Sequence, residues 1–100
     1  MMLAKAPSII ALLEALDLDR RGWEVVDHWD ADECALGIAG RGQPRRLVYV
    51  STFQRGPERY DYECEVPGGP DIEQYEVTIR GEDVCLETLV AVLESHLLAE

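Results

Sequence analysis

The segment Arg59–Val66 alternates without a break: Tyr60, Tyr62, Cys64 and Val66 take one parity, and Arg59, Asp61, Glu63 and Glu65 take the other. A two-residue period sends successive side chains to opposite faces of a strand, so this segment reads as part of a sheet with one apolar side. Pro67-Gly68-Gly69-Pro70 follows at once. The period then returns over about 72–80, where Tyr75, Val77 and Ile79 read as inward and Gln74, Glu76 and Thr78 as outward. A connection this short cannot hold the crossover that a parallel pair requires, so the two strands are antiparallel neighbours. The fold available is thus an antiparallel sheet with an apolar face that something must cover.

The rest of the chain supplies strands and cover. Ile9, Leu12, Leu13 and Leu16 recur at helical spacing and predict a helix over about 8–20, with Ser8 as its N-cap and Gly22 at its exit. From Trp23 the period becomes two: Trp23, Val25, Asp27 and Trp29 alternate with Glu24, Val26 and His28 in a first strand. Asp30-Ala31-Asp32-Glu33 is a polar turn. A second strand, Cys34 to Ala39, puts Cys34, Leu36 and Ile38 on one side and leaves the other nearly bare. Leu47–Val50 is apolar on both faces, as a central strand is. Gly81 and Asp83 read as the start of a last helix, with the stripe Leu86, Leu89, Val90, Leu93 and Leu97. The predicted fold is α+β, one domain spanning 1–100: helix, five-stranded mostly antiparallel sheet, helix, in a two-layer sandwich. Both helices on one face is the simplest arrangement, with one helix on each face as the alternative.

Charge narrows the function. Twenty acids against nine bases give a net charge of −11. Such a surface repels phosphate backbones and anionic membranes, which are bound through clustered Lys and Arg; direct nucleic-acid or membrane binding is not expected. The natural partner is basic. Residues 22–39 sum to −5 and residues 56–79 to −6, on either side of residues 40–55 at +4. Asp61, Glu63 and Glu65 should stand in a row about 6.6–6.8 Å apart, and pairing of the last two strands brings Glu73 or Glu76 toward it. Asp30, Asp32 and Glu33, beside Trp29, form a second acidic cluster. A solvated face that resists edge-to-edge aggregation is the plain alternative for these charges.

Motifs for chemistry are missing. There is no nucleophile elbow, no His-Glu-x-x-His and no phosphate-binding glycine loop. Counted as a calcium loop from Asp30, the required glycine position holds Ala35, so no metal site or cofactor is expected. Cys34, Cys64 and Cys85 are an odd number at unpatterned spacings and read as free thiols in a reducing compartment. The apolar run near the start stops at Glu14 without a cleavage site, and no run approaches the ~20 residues of a membrane span. The expectation is a cytoplasmic protein that is not an enzyme.

Trp23 to Gly37, the strand Leu47-Val48-Tyr49-Val50-Ser51-Thr52-Phe53 and Tyr60-Asp61-Tyr62-Glu63-Cys64-Glu65 together resemble small bacterial immunity proteins. These partner polymorphic toxins, including those of contact-dependent growth inhibition. The resemblance spans roughly residues 23–66 and carries no site residues with it. It implies an antitoxin that binds one cognate toxin domain, often a nuclease, and blocks it without doing chemistry. On charge, the expected contact surface is Asp30, Asp32, Glu33, Asp61, Glu63, Glu65, Glu73 and Glu76, with Trp29 as an aromatic anchor. The alternatives are a nucleic-acid mimic acting on a DNA-binding protein, a small ligand-binding domain, and a homodimer paired through a sheet edge; monomer or dimer is left open.

Overall fold

The computed structural model describes residues 5–26, 31–71 and 74–97. In chain order the elements are α1 (Pro7–Leu16), α2 (Leu18–Arg21), β1 (Trp23–Val26), β2 (Ala35–Gly40), β3 (Gln43–Ser51), β4 (Arg59–Pro67), β5 (Tyr75–Cys85) and α3 (Leu86–Leu97). The five strands form one sheet in sequence order β1-β2-β3-β4-β5, every neighbouring pair antiparallel. The α+β class and the element order match the sequence reading.

Register decides which side chains share a face. Val25 pairs with Ile38, Ile38 with Val48, and Val48 with Cys64, while Leu36 pairs with Val50 and Val50 with Tyr62. These residues form one face. They join Ile9, Leu12 and Leu16 of α1 and Leu89, Leu93 and Leu97 of α3 in a single core. Both helices therefore cover the same side of the sheet. The other side, called the far face below, carries the opposite parity. Ala39 lies between Glu24 and Leu47 there, Gly37 between Val26 and Tyr49, and Ala35 across from Ser51. Asp61, Glu63 and Glu65 continue it on β4.

Local chemistry moves several boundaries. Pro7, not Ser8, opens α1, because its fixed φ and missing N–H suit the first helical position. Ala6 is the N-cap, and the Ser8 hydroxyl instead lies 2.8 Å from that of Thr52, tying the helix start to the end of β3. Asp17 turns left-handed at φ 52° and ends α1; α2 is a separate short turn closed by Gly22 at φ 74°. Gly81 and Asp83, expected to start the last helix, lie within β5. Gly81 pairs with Tyr62, and a Cβ there would run into the Tyr62 ring, so glycine is required by close approach. Asp83, at φ 53°, lies in an irregular stretch of the ladder where the Asp61 carboxylate accepts its N–H at 2.9 Å. With those residues spent on the strand, α3 starts only at Leu86.

A second register shift changes the faces of β5. Cys64 pairs with Ile79, but Glu65 pairs with Val77 rather than Thr78. The inserted residue reverses parity beyond it. Ile79 thus shares the helix side with Cys64, whereas Val77 and Tyr75 lie on the far face opposite Glu65 and Pro67. The expectation that Tyr75, Val77 and Ile79 all point inward is corrected accordingly.

Leu12 and Leu93 are at most 1% exposed. Replacing either by Ala should lower unfolding free energy by about 2–5 kcal/mol through lost burial and a residual cavity. Urea denaturation of each variant measures this; an unchanged midpoint for both would contradict burial of the two helices against one sheet face.

Candidate functional site

On the far face Asp32, from the second acidic cluster, comes beside the carboxylates of β4. A shallow cleft of about 260 Å³ is lined by Asp32, Tyr49, Ser51, Phe53, Asp61, Glu63, Arg80 and Glu82, together with Tyr62 and Gly81. Asp32 reaches it from the turn before β2, where its carboxylate accepts the Cys34 N–H at 2.9 Å and its carbonyl accepts Lys5 Nζ at 2.8 Å. Asp61 and Glu63 come from β4. Tyr49 on β3 stands among all three acids. Burial raises the pKa of its phenol; a Ser51 hydrogen bond opposes the rise, and the charges of Asp32, Glu63 and Asp61 add to it.

The acids are not equivalent. Asp61 is engaged within the fold, accepting Arg55 Nε and the Asp83 N–H at 2.8 and 2.9 Å. Glu63 is half-buried opposite Arg80. Glu82 is well exposed, and its nearest cation is Arg55 at 3.8 Å. Glu65 is only 7% exposed, between Leu47 and Val77, and no described side chain pairs with its carboxylate. Burial, and secondarily the charge of Glu63, pushes its pKa up. The expected even row of solvent-facing carboxylates therefore holds at Glu63 and is modified at both ends.

The other expected site residues scatter. Glu76 pairs with Val66, on the opposite pleat from Glu65, so the irregular register takes it away from the acidic face. Glu33 is exposed in the turn before β2 but does not line the cleft. Trp29, Asp30 and Glu73 lie outside the described residues. Sequence reasoning passed over Tyr49, Phe53, Arg80 and Glu82. Of these, Phe53 had a signal: a large apolar side chain directly after a strand and before a Gln-Arg-Gly-Pro turn has little core to enter. It is 59% exposed at the rim of the cleft.

The basic stretch 40–55 does not form a patch of its own. Arg41 pairs with Asp19 and Arg55 with Asp61. Arg45 donates to the carbonyls of Gly69, Asp71 and Gln74 at 2.9, 2.6 and 3.2 Å, and Arg46 to that of His96 at 2.8 Å. Cations that serve backbone carbonyls leave carboxylates elsewhere without a counter-charge. Among the described residues no group of three or more His, Cys, Asp or Glu converges to hold a metal ion, and no described helix is long and apolar enough to cross a membrane. No family model matches the chain, and neither does any curated protein or solved structure.

Glu65 yields a pH test. Its raised pKa means that the folded state holds the proton more tightly, so stability falls as pH rises from the ordinary carboxylate range, about 4.3, through the folded value. Glu65→Gln should be more stable than the parent at pH 7, with the difference shrinking below about pH 4. Urea titrations at the two pH values read this; a variant no more stable at pH 7 would contradict a desolvated, unpaired carboxylate.

Proposed function

We propose that this protein is an immunity-type binding protein whose far-face cleft docks a basic surface of a cognate toxin domain and blocks it without chemistry. The observation that carries the reading is the convergence of Asp32, Glu63 and Glu82 around a cleft whose rim holds the exposed Phe53. Two effects follow from this arrangement, one long-range and one at contact. The acids, which internal arginines offset only in part, attract a cationic partner and speed its encounter. Phe53 then supplies an apolar anchor of the kind that controls dissociation at an interface centre.

A nuclease is the toxin class that suits such a site best, because its substrate groove must be cationic to hold a polyanion. The nucleic-acid-mimic alternative is weaker on geometry. It calls for a regular, solvent-facing ladder of carboxylates, whereas Asp61 is bound to Arg55 and Glu65 is buried.

The test begins with co-expression of the chain with the product of the adjacent upstream gene, scoring copurification and rescue of growth. Glu63→Lys combined with Glu82→Lys should slow association at low salt by about tenfold or more, with much of the difference lost at high salt. Phe53→Ser should mainly speed dissociation, by an amount typical of an interface anchor, about 2 kcal/mol. Stopped-flow association and dissociation rates separate the two effects. Wild-type rates and full protection in both variants would overturn the assignment of this cleft.

A further inference from the structure

The helix side of the sheet is incompletely covered. A groove of about 800 Å³ runs between α3 and the β4–β5 edge. Tyr62, Cys64 and Val66 form its floor, Ile79 one wall, and Ala91 and Val92 the other. Ile79 is 59% exposed although its register places it beside the core. The groove follows α3 from Thr88 to Ser95, about 10 Å at the helical rise of 1.5 Å per residue. Its size lies within the ~300–1,000 Å³ common for small-molecule sites, and its lining is mainly apolar, with one acid, Glu87, at one end and one basic group at the other.

Arg46 is that group. It projects from β3 to the helix side, and its Nε donates to the His96 carbonyl at the end of α3 at 2.8 Å. Its two terminal amino groups take no partner among the described residues, and the side chain lines the groove. Arg21, Arg41, Arg55 and Arg59 hold carboxylates, whereas Arg46 holds none among the described residues. A half-buried guanidinium with a free fork presents the geometry that a carboxylate meets with two parallel hydrogen bonds. The hydrogen bond to the His96 carbonyl offsets the partial negative charge at that helix end, which would otherwise disfavour an anion. His96 itself is held neutral: burial lowers its pKa.

We infer that the groove between α3 and the β4–β5 edge binds a medium-chain aliphatic carboxylate, its head on Arg46 and its chain along Val66, Cys64 and Ile79. The acid at the other end, Glu87, lies where the chain emerges and does not meet the head. The site is on the opposite side of the sheet from the acidic cleft and stands or falls independently of the toxin-binding reading.

The experiment uses the isolated chain and decanoate below its micelle concentration, followed by calorimetry and by methyl NMR of Ile79, Val66 and Val92. Saturable one-to-one binding with shifts at those methyls is expected, together with no saturation by decylamine, which has the same chain and the opposite head. Arg46→Gln should weaken decanoate binding about tenfold or more, the loss of a charge-assisted contact. Because Arg46 also holds the end of α3, Ala91→Phe serves as a second variant that fills the groove without touching that bond, and it should abolish binding. Equal binding of decanoate and decylamine, or undiminished binding by Ala91→Phe, overturns the proposal. So does a concentration-dependent dimer that buries Ile79 and excludes the ligand.

Discussion

Burial on one side of a single sheet governs this molecule. The apolar stripes of α1 and α3 meet the same strand parity, through Leu36, Ile38, Val48, Val50 and Cys64. Once both helices are committed there, the far face is freed from supplying the main core. Its strands can then carry small residues on β2, carboxylates on β4 and an aromatic at the end of β3. The same commitment leaves the helix side short of cover at β4 and β5, because two helices do not span five strands. The acidic cleft and the apolar groove are two consequences of one packing choice.

Arginine placement is the second control. One terminal amino group of Arg45 and the Nε of Arg46 donate to backbone carbonyls, gathering the connection between β4 and β5 in one case and closing the end of α3 in the other. Arg55 and Arg59 pair with Asp61 and Asp83 and hold the irregular end of the β4–β5 ladder. These bonds organise turns and strand ends, where backbone groups would otherwise lack partners. The consequence is electrostatic. Bases used for architecture leave Glu63, Glu82 and Asp32 to set the potential of the far face.

Much of the fold was legible in the chain. Period-two alternation and short Gly/Pro connections are local signals, and they specify antiparallel neighbours without knowledge of tertiary contacts. What escaped was what local patterning does not encode. Gly81 looks like a helix-starting turn until Tyr62 is known to lie across it. The inserted residue at Thr78 reverses the faces of Tyr75, Val77 and Glu76, and only the β4 partner reveals it. At the site, the acids of β4 were readable as a row. Their fates were not, since the burial of Glu65 depends on Leu47 and Val77, and the engagement of Asp61 on Arg55. The approach of Asp32 to Tyr49 joins positions far apart in sequence and leaves no mark in either segment.

The far face is the proposed docking surface. Backbone amide NMR of the labelled chain, titrated at low salt with the copurified product of the adjacent gene, maps the contact without altering any residue. Perturbations concentrated at Asp32, Tyr49–Phe53, Asp61–Glu63 and Arg80–Glu82 are the predicted result. Perturbations confined to α1, α3 and the groove beside them would contradict it.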